Sequence, residues 1–442
     1  MTTTVPHLTG NYAPVPAELT TAELLVTGTI PPELSGWYLR NGPNPRDAAS
    51  GHWFVGDGMV HGVRVENGRA MSYRNRWVRT RSFTGEAGGG DPGNPDLTVG
   101  VANTHVVRHA GRTLALVETA FPYELTAELD TVGPYDFDGK LRTPMTAHPK
   151  TCPVTGELHF FGYGGLRPPY LTYHRADAAG NLTVSRPVEV PRHTMMHDFS
   201  LTAEHVVFLD LPVVFDLETA KRGEDMPYRW DDDCGARLGV LRRDDPHGEI
   251  RWFTINPCYV FHTLNAFELT APTGQQIVLH VCRYPKLWST DATFGDKPTL
   301  WRWTVDLTTG TVTEEQLDDQ HCEFPRIDDR LAGLDSRFGH VTVTGAPGTE
   351  LPGALVRHDL HSGAAVTHQF GPGRYPGEAA FAAADDRPGG PGWLLTFVYD
   401  QAKDTSDLVV IDTEDISAPP VATIRVPRRV PFGFHGNWLP DS

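Results

Sequence analysis

Pro431-Phe432-Gly433-Phe434-His435-Gly436-Asn437-Trp438 is followed by only four residues in a chain of 442. Terminal segments usually fray unless something ties them down. This one is dense in aromatic residues and brackets a single histidine with glycines. It is therefore expected to be held: as a strand that returns to the start of the chain, closes a β-propeller, and carries the last ligand of a buried metal.

The rest of the chain supports a ring of strands. Short β-prone runs bounded by turn residues recur throughout, among them Glu157–Phe161, His205–Leu209, Gln276–Val281, Trp301–Val305 and Gly392–Val398. The 44 glycines and 37 prolines supply many turns and few long helices. Helical spacing is expected only at Ala17 to Leu25 and, as one turn, at Tyr123 to Leu129. The Gly88–Pro95 and Arg387–Gly392 stretches read as loops inside the strand pattern. No linker divides residues 1–442, so a single all-β domain is expected.

Composition narrows the function. The formal net charge is −17, which disfavours nucleic acid and anionic headgroups as principal partners. No apolar run approaches the ~18 residues needed to span a bilayer. Met1 to Pro6 carries neither a basic nor an apolar leader region, so no signal peptide is expected. The five cysteines form no C-x-x-C and fit a reducing cytoplasm, as structural thiols.

Four of the 20 histidines sit among apolar or small neighbours: His148, His197, His262 and His435. An unpaired imidazole is costly to bury there. Glu323 and Glu378 share that setting. The steps from His148 are 49, 65, 61, 55 and 57 residues, each about the length of a four-stranded blade. Together with the N-terminal remainder they indicate seven blades, whose innermost strands would turn these residues toward one axis. Four neutral imidazoles suit a first-row divalent metal rather than Ca²⁺ or Mg²⁺. Structural zinc favours a closed shell that includes thiolates. Four histidines on one side of an octahedral ion leave positions open, and the glutamates would then accept Nδ1–H from ligand imidazoles.

At these residues the chain resembles the carotenoid cleavage oxygenases. The likeness runs from Gly36-Trp-Tyr-Leu-Arg-Asn-Gly-Pro-Asn-Pro45 and Trp53–His61 through Tyr135–Gly139, Met145–Lys150, Thr194–Phe199 and Phe261–Ala266. It ends with Glu323–Arg326, Gly377–Phe381 and Val430–Gly436. The resemblance implies a seven-bladed propeller under a dome of loops and short helices over the metal-bearing axis. It implies one Fe²⁺ per chain on His148, His197, His262 and His435. It adds Glu118 to the glutamates, pairing Glu118 with His197, Glu323 with His262 and Glu378 with His435, and leaving His148 without a carboxylate. Thr104 matches a residue that crowds one coordination position and leaves a single site for O₂.

The reaction implied is oxidative cleavage of a carotenoid or apocarotenoid C=C bond by O₂ to two carbonyl products. No residue beyond the iron centre is expected to act in the chemistry. An apolar tunnel is expected, with Trp53, Phe121, Tyr163, Phe261, Phe267, Tyr284, Phe324 and Phe434 as candidate lining. His52, His61, His105 and His109 lie near motifs but are not expected to touch the metal. Stilbene-cleaving members place a lysine where this chain has Val117, which favours a polyene substrate over a stilbenoid. A polyene has to leave a bilayer, so peripheral membrane contact by a cytoplasmic monomer is expected. Leu211-Pro-Val-Val-Phe215 is the most apolar candidate surface, with a blade strand as the competing reading. Two other activities stay open: stilbenoid cleavage, and non-cleaving isomerisation with hydrolysis on the same iron. A cupin-type site is disfavoured, because cupins gather their ligands in one short motif. A metal-free scaffold would hold no iron at all.

Overall fold

The computed structural model describes residues 8–46, 51–86, 95–272, 274–289, 297–343 and 353–441. Met1–Pro6 and all of the Gly88–Pro95 loop except Pro95 lie outside them.

Seven antiparallel sheets of four or more strands follow one another along the chain. Blade one runs His105–His109, Arg112–Leu116, Tyr123–Leu125 and Thr131–Pro134. Blade two runs Lys150–Thr151, Leu158–Tyr163, Leu171–Ala176 and Leu182–Val188. Blade three is Phe199–Leu201, His205–Asp210, Arg237–Arg242 and Arg251–Thr254. Blade four holds the longest strands, Tyr259–Ala271 and Gly274–Tyr284, then Thr299–Asp306 and Val312–Gln316. Blade five is Glu323–Arg326, Phe338–Val343, Ala354–Asp359 and Ala365–Gln369. The expected seven-bladed propeller is the observed fold.

The last two blades are built from both ends of the chain. In blade six, Arg374–Pro376 and Ala380–Ala383 both pair with Gly392–Asp400. Thr405–Asp412 and Ala422–Arg425 follow, and the early strand Leu25–Gly28 forms the outer edge. In blade seven the C-terminal strand Gly436–Pro440 pairs with Gly36–Pro43, which continues into Gly58–Glu66, Arg69–Trp77 and Leu19–Thr21. Each end therefore covers a sheet edge that would otherwise be left unpaired.

The glycines of the C-terminal stretch answer to crowding. A Cβ on Gly433 would collide with the Arg40 guanidinium, and one on Gly436 would come within 2.7 Å of the Leu39 carbonyl oxygen. The backbone is pinned further by Phe434 N–H to Asn41 O at 3.0 Å and His435 N–H to Thr104 O at 3.1 Å.

Both helical expectations fail. Ala17–Leu25 contributes the strand Leu19–Thr21 and the first residue of Leu25–Gly28; Tyr123–Leu125 is also a strand. Sheet pairing overrides weak local propensity, with distant strands for Leu19–Thr21 and Leu25–Gly28 and with the neighbouring strands of blade one for Tyr123–Leu125. Leu211–Phe215 is not an exposed patch. Leu211 and Val213 are buried, and Val213–Phe215 pairs with Tyr228–Trp230 in a separate two-stranded hairpin. That hairpin, with the short helix Leu217–Lys221, is inserted between the second and third strands of blade three and forms part of the dome. Among the described residues no helix is long and apolar enough to cross a membrane.

Candidate metal centre

Each blade presents one residue at or near the start of its innermost strand: Thr104, His148, His197, His262, Glu323, Glu378 and His435 in blade order. The innermost strands converge on the axis, so residues tens of positions apart become neighbours. The four histidines are buried, and one ring nitrogen from each lies within 4.8 Å of the others. His148 Nε2 and His197 Nε2 are 3.0 Å apart. Two nitrogens each about 2.1 Å from one ion and at right angles to it would stand about 3 Å apart. Nε2 of His262 is buried with no hydrogen-bond partner. An orphaned imidazole nitrogen facing three others fits a cation.

The opposite ring nitrogens are occupied. His197 Nδ1 lies 2.8 Å from Glu118 Oε2, His262 Nδ1 is 2.5 Å from Glu323 Oε2, and His435 Nδ1 is 3.1 Å from Glu378 Oε1. A carboxylate at Nδ1 fixes the tautomer that leaves Nε2 free to bind. Glu323 Oε2 also accepts the Phe324 amide at 2.6 Å, and Glu378 Oε2 the Gly436 amide at 2.8 Å. Among the described residues no carboxylate pairs with His148.

Burial holds His148 and His435 well below the ordinary histidine range, and neighbouring imidazoles deepen the effect. Burial also opposes the charged form of His262, but the Glu323 carboxylate outweighs it and the net direction is upward. Neutral imidazoles are the ligating form.

A cavity of about 800 Å³ opens over the histidines, with His197, His262 and His435 in its wall. Trp53, Tyr163, Phe261, Tyr284, Phe324 and Phe434 line it, as do Thr104, Val117, Glu118 and Glu323. Phe121 and Phe267 do not. Phe121 packs against a cluster between blades one and two, and Phe267 lies five residues beyond His262, with its ring against His280. Phe54, Phe215, Tyr228 and Phe432 also line the cavity. Sequence reading missed them. Phe54 and Phe432 lie in motifs quoted above, beside the chosen Trp53 and Phe434, and which ring of such a run faces the cavity is decided by the fold; Phe215 and Tyr228 come from the inserted hairpin, far from any histidine motif. Phe215, quoted above as surface, is cavity wall. Thr104 donates its hydroxyl hydrogen to Asn103 Oδ1 at 3.0 Å.

The four nearby histidines are engaged elsewhere. His61 bonds Tyr73, His109 bonds the Asp177 carbonyl, and His52 packs on Phe54. His105 comes nearest, its ring centroid 5.2 Å from that of His435, but its nitrogens meet Ala147 O and Asn437 Nδ2.

A second cavity of about 250 Å³ touches the same cluster and shares only His262 and His435 with the first. Its lining includes Lys150, Asp198, Arg326 and Asn437. Arg326 donates to Gly436 O at 3.0 Å and to Asn437 Oδ1 at 2.6 Å, and lies 3.6 Å from Glu378.

Comparison with known proteins places this architecture. A carotenoid cleavage oxygenase of Mycobacterium tuberculosis is 39% identical over 99% of this chain and 98% of its own. The crystal structure of Pseudomonas brassicacearum lignostilbene dioxygenase superposes with a TM-score of 0.88 at 29% identity, covering 99% of both chains. That of cobalt-substituted Synechocystis apocarotenoid oxygenase gives 0.84 at 27% identity, covering 97% of both. The family model described as retinal pigment epithelial membrane protein matches residues 12–440. With that match and these relatives, the chain belongs to the family of the retinal pigment epithelial membrane protein and the carotenoid cleavage oxygenases.

Proposed function

We propose that the protein is a non-haem Fe(II) dioxygenase that cleaves a C=C bond of a carotenoid or apocarotenoid to two carbonyl products. One observation carries the reading: a cavity of about 800 Å³, walled by Phe54, Phe261, Phe324 and Phe434, has three of the four clustered histidines in its wall. That volume lies toward the upper end for a small-molecule site and suits a long apolar ligand.

In this reading His148, His197, His262 and His435 hold one Fe²⁺. When bound, the iron supplies the one-electron chemistry that lets O₂ react with a spin-paired alkene. The chain's residues do the rest. Glu118, Glu323 and Glu378 accept Nδ1–H and keep each Nε2 lone pair aimed inward. Thr104, whose carbonyl accepts the His435 amide, lines the cavity and would crowd one side of a metal held there. The aromatic wall holds the polyene and excludes water. Cleavage places one oxygen atom of O₂ on each carbon of the broken bond, so atoms balance without a proton and no acid or base is assigned.

The substrate class follows from Val117, which lines the cavity beside Glu118. A lysine there would offer a phenol oxygen a partner; valine offers a polyene apolar surface. The lignostilbene dioxygenase likeness makes stilbenoid cleavage the second reading. The test is incubation of iron-loaded protein with C40 carotenoids, shorter apocarotenoids and stilbenes under ¹⁸O₂. Labelled aldehydes from a polyene are the expected result. Labelled products from stilbenes alone would move the assignment to that class, and release of an isomerised alcohol free of ¹⁸O from a polyene ester added to the same panel would mean isomerohydrolase chemistry.

A further inference from the structure

On the polar side of the histidine cluster one carboxylate reaches three blades. Asp198 follows His197 directly, and its side chain is 1% exposed. Its Oδ1 accepts from Lys150 Nζ and from the Phe199 amide, both at 2.8 Å. Its Oδ2 accepts from the Thr263 amide at 2.8 Å and the Thr263 hydroxyl at 3.0 Å. Lys150 stands two residues beyond His148, and Thr263 one beyond His262. The group that ties blades two, three and four together thus sits beside a candidate ligand on every one of them. An ion pair that served only the fold could lie anywhere along these strands.

We propose that Asp198 is a positioning residue of the metal centre, holding the backbones that carry His148, His197 and His262 in one register. The proposal rests on reading the four histidines as metal ligands. The fourth, His435, is held separately, by Glu378 and by the contacts of Arg326 with Gly436 and Asn437. Loss of the Asp198 clasp therefore weakens metal binding without abolishing it. Asparagine is not a neutral replacement, because both oxygens face donors only: one side of the amide would turn N–H toward N–H. A buried acceptor lost in this way also leaves the Lys150 ammonium without its counter-charge.

The test compares wild-type, Asp198→Asn and Thr263→Val proteins, each purified metal-free and titrated with Fe(II) or Co(II) against a competing chelator. The visible spectrum of the cobalt form and the melting temperature of each metal-free protein are recorded alongside. Asp198→Asn is expected to bind metal ~10–100-fold more weakly, the usual loss when a group supporting a ligand is removed, and to alter the cobalt bands. Thr263→Val, which removes the hydroxyl shared between Asp198 Oδ2 at 3.0 Å and the Phe199 carbonyl at 3.1 Å but keeps the Thr263 amide bond to Asp198, is expected to lose about fivefold. Folded Asp198→Asn with wild-type affinity and spectrum would overturn the proposal, even if its metal-free melting point fell. If Asp198→Asn does not fold, Thr263→Val with unchanged affinity and spectrum overturns it instead. Wild-type protein that takes up neither metal would overturn the metal reading itself, and the clasp with it.

Discussion

The two chambers that meet at the histidine cluster differ in their lining. Above it, the large cavity is walled by Phe54, Phe261, Phe324, Phe434 and Val117. Below it, the small cavity is lined by Lys150, Asp198, Arg326 and Asn437, with ion pairs at 2.8 Å for Lys150–Asp198 and 3.6 Å for Arg326–Glu378. The carboxylates show the same division. Where Glu118 and Glu323 approach the apolar chamber, their neighbours are the phenols of Tyr163 and Tyr284. Burial holds both phenols well above the ordinary tyrosine range, and the carboxylates reinforce this, so they stay protonated. Glu378 has a guanidinium beside it instead. The Lys150–Asp198 and Arg326–Glu378 ion pairs thus lie on the side of the small cavity, while aromatic rings and protonated phenols dominate the wall of the large one beside Glu118 and Glu323. In the proposed reading, the histidines are held in place from one face and meet substrate at the other.

That division can be broken at several depths. The largest effect is expected from deleting residues 431–442, which removes His435 and the innermost strand of blade seven. Circular dichroism and elemental analysis should show loss of the fold and of iron together; a folded, iron-loaded truncated protein would contradict the ring closure. His435→Ala is milder. The strand remains, so the propeller should stay folded while iron is lost and activity falls at least roughly a hundredfold. Full turnover in metal-depleted His435→Ala protein would refute the site.

Glu323→Gln probes the boundary between the chambers. It keeps shape but loses the negative charge at His262 Nδ1, and iron affinity should fall ~10–100-fold with the fold intact. An unchanged dissociation constant would mean that this carboxylate does not orient the ligand. Trp53→Ala touches only the upper wall. KM should rise about three- to tenfold at unchanged iron content, as for lost substrate contact that does not reach the metal. A drop in iron content would show that the chambers are not independent.

Much of this was legible before any fold was seen. The strand-turn texture, the near-even steps between His148 and His435, and the apolar C-terminal stretch together indicated the ring and its closure. Other features were not, for physical reasons. Ala17–Leu25 has no strong local pattern, and its strands exist only because Arg69–Trp77 and Ala422–Arg425 pair with them. Phe267 directly follows the Phe261–Ala266 motif of His262, yet five further residues of extended strand carry it to a different level of the blade. Asp198 stands next to His197, but nothing in its local sequence marks it. Its meaning lies in Lys150 and Thr263, which are neighbours in space alone.

The way blades six and seven borrow strands from both chain ends has a consequence for synthesis. Blade seven lacks its innermost strand until Gly436–Pro440 has been made, and the fourth histidine lies one residue before that strand. At roughly 5–20 residues per second, translation takes on the order of 20–90 s to reach that point. Through that interval the nascent chain can present at most three of the four histidines. The four-histidine cluster is therefore completed only after the strands of blades one to six have been made, and a chain stopped before His435 lacks one of its members. Iron bound at the four histidines, as proposed, would mark a chain translated past His435.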